Sequence, residues 1–163
     1  MKITIGILSD THLNKVNGDL EDIYDRYLAD KDYIIHTGDF VSPQIVEFFD
    51  RGNFYGVQGN MDPHDIGEML PVKREIKLGG HKIGIMHGYG SYVGLENRIW
   101  REFPDTHIIV YGHSHRPVCY RREGVLFFNP GSATGGSRAG PNSIGILEID
   151  DTVTGKIVPI QSR

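Results

Sequence analysis

Seven side chains able to hold a metal recur along this chain in short groups: Asp10 with His12, Asp39, Asn60, His87, and His113 with His115. Carboxylate, imidazole and amide oxygen without thiolate form a mixed donor set. It suits manganese, iron, cobalt, nickel or zinc, and it suits calcium poorly. The pairs Asp10/His12 and His113/His115 are two residues apart, a spacing that in an extended segment sends both side chains to one side. Seven ligands exceed what one tetrahedral ion takes. They match two ions sharing a carboxylate, which would lie roughly 3.5 to 4 Å apart. Asp39 is assigned the bridge, because a carboxylate offers two oxygens to two cations and offsets their repulsion, as a neutral histidine cannot. Water held between two such ions loses a proton near neutral pH and becomes a nucleophile.

Taken singly, most of these residues have ordinary structural uses. Asp10 could cap a helix, His12 could sit in a loop, and Asn60 after Gly59 is a common turn residue. His113 and His115 are harder to explain that way, since two histidines between Gly112 and Pro117 at a strand end have few structural roles. Agreement among five strand ends raises the joint reading above any one residue. His36, His64, His81 and His107 lack such a pattern and are read as core or surface histidines.

The elements that must position the seven are short apolar runs, each ending at one of them. Ile3 to Leu8 is continuous and β-branched, the pattern of a strand covered on both faces, and it delivers Ser9-Asp10-Thr11-His12. Leu20, Ile23, Tyr24, Tyr27 and Leu28 recur at helical spacing, which predicts one helix from about Gly18 to Asp30. Tyr33 to His36 is the next strand and presents Asp39. Ser42-Pro43 is an N-cap with a first-turn proline, opening a short helix in which Ile45, Phe48 and Phe49 share a face. Phe54 to Val57 closes on Gln58-Gly59-Asn60, and Met61 to Leu70, without a clear period, reads as a loop.

From Lys73 to Leu78 charged and apolar residues alternate. Gly79-Gly80 supplies a hairpin turn, and His81 to Met86 returns as a strand ending at His87. A helix is expected around Tyr92 to Phe103, stopped by Pro104. Thr106 to Tyr111 is a buried strand that delivers Gly112-His113-Ser114-His115-Arg116-Pro117. The remainder reads as all-β: Val118 to Arg122, Val125 to Asn129, a glycine-rich loop from Pro130 to Pro141, Ser143 to Asp150, and Thr154 to Ile160. Strand-helix units followed by hairpin-linked strands suggest two sheets packed face to face, with helices on their outer faces. The candidate ligands then share one rim.

The chain of 163 residues fits one domain, residues 1–163, able to bury roughly 70% of the surface its unfolded form exposes. With 17 basic and 21 acidic residues its formal net charge is −4, which leaves no electrostatic footprint for extended nucleic acid or an anionic membrane. Cys119 is the only cysteine, which excludes an internal disulfide and a thiolate zinc site and suits a reducing cytosol. The apolar run near the N-terminus is far too short for a signal peptide or a membrane span. The expectation is a cytoplasmic protein without membrane attachment, with homo-oligomerisation left open.

Read in order, Asp10-Thr11-His12, Gly38-Asp39-Phe40, Gly59-Asn60-Met61-Asp62, His87-Gly88 and Gly112-His113-Ser114-His115-Arg116-Pro117 resemble the motifs of the calcineurin-like metallophosphoesterase superfamily. The resemblance runs from Ile3 to about Ser132, and the compact length is similar to that of the small single-domain prokaryotic phosphodiesterases. It implies an α/β fold, a four-layer α/β/β/α sandwich of two mixed sheets with the metal site at the strand-end rim. One ion would be held by Asp10, His12, Asp39 and His115, the other by Asp39, Asn60, His87 and His113. The implied cofactors are two divalent transition-metal ions, manganese first, with nickel, iron, cobalt or zinc as alternatives. A metal-bridging hydroxide, positioned by the centre that Asp39, Asn60 and His87 help to build, would hydrolyse a small phosphodiester. Asn129-Pro130-Gly131-Ser132 matches a further segment of the small subgroup and is expected to have a structural role near the rim.

One departure from the family pattern matters. Many members carry histidine after the asparagine, where it protonates the leaving group; this chain has Met61, and a thioether cannot donate a proton. Asp62, which would orient that histidine, is left to order the loop. His64 is the nearest substitute donor, and it must still meet hydrogen-bond geometry. Otherwise water supplies the proton, or the ester has a leaving group that needs little help. Charge favours a phosphodiester over a phosphomonoester: two divalent ions bring four positive charges, while Asp10, Asp39 and a bridging hydroxide return three. The competing reading is a non-catalytic protein-binding scaffold on the same fold, as the superfamily's retromer subunit is described. That relative lacks part of the histidine set, whereas all seven positions are ligand-capable here, which favours the enzyme.

Overall fold

The computed structural model describes residues 1–161. In chain order the elements are β1 (Ile3–Leu8), α1 (Gly18–Ile23), a π-helical turn (Tyr24–Leu28), β2 (Tyr33–His36), α2 (Pro43–Phe49), β3 (Phe54–Gly56) and α3 (His64–Met69). Next come β4 (Lys73–Leu78), β5 (His81–Met86), α4 (Leu95–Glu102), β6 (Ile108–Val110), β7 (Val118–Arg122), β8 (Val125–Asn129), β9 (Ser143–Ile149) and β10 (Val153–Pro159). They form two five-stranded sheets, in the orders β10-β9-β1-β2-β3 and β4-β5-β6-β8-β7.

Strand periodicity sorts the apolar residues into three cores, and these separate four layers. Ile5, Ile7, Ile35, Ile83, Ile85, Ile108, Val110 and Phe128 point between the sheets. Alternate residues of the first sheet, Leu8 and Ile34, meet Leu20, Ile23, Ile45 and Phe49 of α1 and α2 on its outer face. On the outer face of the second sheet, Met86, Ile109 and Phe127 meet Leu95 and Ile99 of α4. The architecture is the expected α/β/β/α sandwich, and both sheets are mixed.

Four differences from the sequence-based expectations have physical causes. First, the helix expected from Gly18 to Asp30 changes to π geometry after Ile23, closed by Ala29 N–H donating to the Tyr24 carbonyl at 2.9 Å. The wider turn lays Leu28 against β1 where Gly6 leaves room: a Cβ there would sit 2.5 Å from Leu28 Cδ2. Second, residues read as a loop from Met61 to Leu70 contain α3, a helix too short for a period to register, anchored by buried Ile66 and Leu70.

Third, the expected hairpins β4–β5, β7–β8 and β9–β10 form, but they are joined within the second sheet by parallel pairings, because β5, β6 and β8 run parallel. Fourth, β9 crosses back to pair antiparallel with β1, Ile5 opposite Leu147, so β1 becomes a central strand. This satisfies the edge of β1 that β2 leaves open, as its two-sided apolar pattern requires. Among the described residues no helix is long and apolar enough to cross a membrane.

Candidate metal centre

β1, β2, β5 and β6 end at a common rim, and their following residues converge there. Ligand atoms of Asp10, His12 and His115 lie within 4.8 Å of one another, and so do those of Asp10, Asp39 and His87. Asn60 and His113 form an adjoining pair, with His113 Nδ1 3.1 Å from Asn60 Oδ1. All seven residues singled out in the sequence are therefore accounted for by two interlocking groups and this pair.

The backbone reaches this arrangement differently from the extended spacing expected for Asp10/His12 and His113/His115. Asp10, His12, Asp39, His113 and His115 have φ of 54°, 47°, 59°, 70° and 55°, the left-handed region that non-glycine residues seldom adopt. Each strand thus ends in a sharp reversal that turns its side chains inward. Strain of this kind persists only where neighbours over-determine it. Here Asp10 N–H donates to the Gly38 carbonyl and His12 N–H to the Asp39 carbonyl, both at 3.0 Å, and Arg138 N–H donates to the His115 carbonyl at 3.1 Å.

Asp39 is 3% exposed, and its two oxygens have separate tasks. Oδ1 accepts the Met61 N–H at 2.8 Å. Oδ2 lies 3.5 Å from His12 Nε2 and 3.3 Å from His87 Nε2. The expected bridge puts one oxygen on each ion, whereas in the structure the same oxygen faces both halves. Burial would raise the Asp39 carboxyl, but His87 beside it and the Met61 N–H hold it below the ordinary range.

Asp10 is fully buried. Its Oδ2 accepts the Ser9 hydroxyl at 2.5 Å and the His113 N–H at 3.2 Å. Oδ1 faces His115 Nε2 at 3.2 Å, His12 Nε2 at 3.6 Å and His87 Nε2 at 3.8 Å. Against the raising effect of burial, His115 and His12 hold this carboxyl well below the usual carboxylate range.

The imidazoles are aimed by their second nitrogens. His87 Nδ1 meets the Thr37 carbonyl at 2.8 Å and His115 Nδ1 the Gly136 carbonyl at 2.6 Å, so each ring donates there and turns Nε2 to the centre. His113 is reversed: Nε2 donates to the Gly90 carbonyl at 2.8 Å, leaving Nδ1 for the Asn60 side. Burial lowers His87, but Asp39 and Asp10 outweigh it and hold the ring above its ordinary value. His115 is likewise raised, chiefly by Asp10.

These atoms fit a divalent cation on their own geometry. Buried Asp10 Oδ1 and His87 Nε2 have no hydrogen-bond partner, an arrangement that costs a folded protein unless something else meets them. His12 Nε2 and His115 Nε2 face each other at 3.3 Å. Lone pairs and carboxylate oxygens converging without donors between them form a cation site.

Supports of the centre come from the two places given ordering or structural roles in the sequence, Asp62 and the Asn129–Ser132 segment. Asp62 accepts the N–H groups of Asp39, Gly59 and Val41 at 3.0, 2.7 and 2.7 Å, clamping the Asp39 and Asn60 loops together. Burial raises its carboxyl despite these donors. Ser132 Oγ donates to the Asp10 carbonyl at 2.8 Å, and Asn129 Nδ2 donates to the Gly112 carbonyl at 3.0 Å, which gives the Asn129–Ser132 segment its structural role. Close approach fixes two glycines: a Cβ on Gly59 would lie 2.1 Å from Asp39 Oδ1, and one on Gly112 2.1 Å from Ser9 Oγ.

The other histidines stand apart, as expected. His36 is buried and stacked 3.7 Å from Phe40, and its Nδ1 accepts the Gly38 N–H. Burial pushes it down to about 3. His64 faces solvent on α3 beside Glu68. His81 and His107 pack edge to face at the opening end of β5.

The model of the calcineurin-like phosphoesterase superfamily domain matches residues 1–152. The chain belongs to this superfamily. A probable metallophosphoesterase of Methanocaldococcus jannaschii is 32% identical over 162 residues, covering 96% of this chain and 81% of that protein. A phosphodiesterase of the same organism is 31% identical, covering 90% and 93%.

Among solved structures, a predicted phosphoesterase of Streptococcus pneumoniae superposes on this chain with TM-score 0.72 at 27% identity, covering 98% of this chain and 90% of that one. Vacuolar Protein Sorting 29 of Cryptosporidium parvum superposes with TM-score 0.73 at 23% identity, covering 99% of each chain, a likeness of fold. For a family of divalent-metal proteins, the two clusters at the rim are the matching feature of this chain.

Proposed function

We propose that the chain is a metal-dependent phosphodiesterase with a dinuclear centre. One ion would be held by Asp10, His12, Asp39 and His115, the other by Asp39, Asn60, His87 and His113. Asp39 Oδ2, 3.5 Å from His12 Nε2 and 3.3 Å from His87 Nε2, is the observation that carries the reading. The oxygen and nitrogen donors suit manganese first, with nickel, iron, cobalt or zinc as alternatives. When bound, two such ions stabilise charge on the phosphoryl group and supply a hydroxide nucleophile near neutral pH.

The chain's own residues bind and orient. Asp39 faces both halves with one oxygen while the Met61 N–H fixes the other. The carbonyls of Thr37, Gly136 and Gly90 set the tautomers of His87, His115 and His113, so that the free nitrogen of each ring is an acceptor. The residual charge favours a singly charged diester over a monoester, and Arg116, next to the last histidine, is exposed rather than folded into the centre. The relative named as a phosphodiesterase supports the same class. The scaffold reading draws on the likeness to Vacuolar Protein Sorting 29, which is one of fold, and the complete set of seven ligand-capable residues counts against it.

Purified protein is expected to hydrolyse bis(p-nitrophenyl) phosphate with manganese and to stop on chelation. Protein that binds metal yet hydrolyses no activated diester with any divalent ion contradicts the proposal.

A further inference from the structure

Among the described residues, all of the exposed large apolar side chains except Met1 and Tyr120 fall in two segments of the chain. Met61, Met69, Val72, Tyr89, Tyr92 and Val93 lie on the two segments that flank Asn60 and His113, and they are 59, 42, 54, 44, 45 and 85% exposed. Exposed apolar groups gathered at one place mark a binding site more often than scattered ones do. Between the two segments lies a cleft of ≈ 340 Å³, walled by Val72, Met86 and Tyr89 and floored by Gln58, Asn60 and His87. Two of its residues belong to the centre described above, so a group esterified to a phosphate held there is within reach of it.

The wall is pre-organised. Arg98 of α4 donates from Nη1 to the Val93 carbonyl at 2.9 Å, from Nε and Nη2 to the Tyr89 carbonyl at 3.2 and 2.9 Å, and from Nη2 to the Ser91 carbonyl. The Gly90 carbonyl in the same loop holds His113 Nε2, and the Tyr92 ring packs edge-on to His113 at 5.3 Å. A loop tied down at three carbonyls and joined to a candidate ligand presents its tyrosines without having to be ordered on binding. The lining contains no lysine, arginine or carboxylate. Its occupant is therefore uncharged and flat or apolar rather than a second phosphate. An apolar cavity of about 150 Å³ already accepts benzene, so this cleft takes an aromatic ring with substituents.

Resting on the phosphodiesterase reading, we infer that the Val72–Met86–Tyr89 cleft binds an aromatic ester group of the substrate. The selected substrates are phosphodiesters carrying an aryl or heteroaryl group next to the scissile phosphate. Met61 agrees with this. No proton donor stands at that position, and an aromatic hydroxyl leaves as an anion with less help than an alkyl one.

The test compares phenylphosphonate with methylphosphonate, which share the phosphonate group and differ in the ring, by calorimetry on manganese-loaded protein at an alkaline pH where both are dianions. The expected result is about tenfold tighter binding of the phenyl compound, about 1.4 kcal/mol. In a Tyr89→Ala/Val72→Ser double variant that ratio falls toward one. Both side chains are half-exposed, so the variant is expected to fold, and its thermal unfolding is checked alongside. Equal affinities in the wild type, or a ratio the double variant leaves intact, overturn the inference. If bis(p-nitrophenyl) phosphate is still hydrolysed in that case, the phosphodiesterase reading stands alone. Absence of both phosphonate binding and hydrolysis overturns the two together. A concentration-dependent dimer that the double variant dissociates, without any ring preference, assigns the patch to a second copy of the chain and likewise overturns the inference.

Discussion

Asp62 holds Asp39 by its main chain: Oδ2 accepts the Asp39 N–H at 3.0 Å and the Gly59 N–H at 2.7 Å, while Oδ1 accepts the Val41 N–H at 2.7 Å. One carboxylate thereby fixes a left-handed aspartate at φ 59° and the turn that presents Asn60. Its side chain never reaches the centre it organises.

Asp62→Asn replaces an acceptor oxygen with an amide donor facing an N–H group. The expected cost is about 2 kcal/mol, lowering Tm by about 4–8 °C, together with weaker metal binding. Thermal unfolding with and without manganese measures both. An unchanged Tm and unchanged metal affinity would show that the three bonds do not hold the loop.

Ser132→Ala removes the donor to the Asp10 carbonyl and the acceptor for the Gly135 N–H. Stability is expected to fall by about 1–2 kcal/mol. Metal titration should show weaker binding in the half built by Asp10, His12 and His115, because a Cβ position on Gly135 already lies only 2.5 Å from the His12 ring. Urea unfolding with wild-type midpoint and slope contradicts this.

The pH dependence comes from the signs of the shifts. His87 and His115 are held above their ordinary value in the metal-free protein. Their contribution is complete below pH about 6.5 and is lost as pH rises through the raised values. Asp10 and Asp39 are held low, so theirs is present above pH about 3.9 and is lost as pH falls through the lowered values. Metal needs neutral imidazoles and displaces those protons. The gain in Tm from manganese is therefore expected to be small at about pH 5.5 and large at about pH 8. A gain that does not vary with pH contradicts the assignment.

Met61→His places a general acid beside Asn60 on an exposed loop position. Hydrolysis of methyl p-nitrophenyl phosphate should change little, since nitrophenolate needs no proton, while dimethyl phosphate cleavage should rise by up to about 100-fold. Equal effects on both substrates would mean that protonation is not what Met61 lacks.

Much of the centre was legible because it lies in strand-end residue types. Runs such as Ile3–Leu8 and Tyr33–His36 declare themselves by burial on both faces, and the residues just past each run are a short list of acids and imidazoles. The conformation of those ends was not legible: nothing in Asp10-Thr11-His12 announces two left-handed residues, which depend on N–H bonds donated to the carbonyls of Gly38 and Asp39 in another segment. The same holds for the carbonyls of Thr37, Gly90 and Gly136, since every residue has a carbonyl and only the fold says which ones meet an imidazole. The π-helical turn and α3 were missed because both are shorter than the window in which a helical period can be read.

The central claim is that Asp39 joins two metal sites through one oxygen, and metal counting on Asp39→Ala tests it most directly. Native protein is expected to bind two manganese ions per chain, with His115→Ala and Asn60→Ala each weakening mainly one of them. Asp39→Ala is expected to weaken both and to lose diesterase activity by several orders of magnitude. Asp39→Ala protein with native metal content and a native rate would contradict the account.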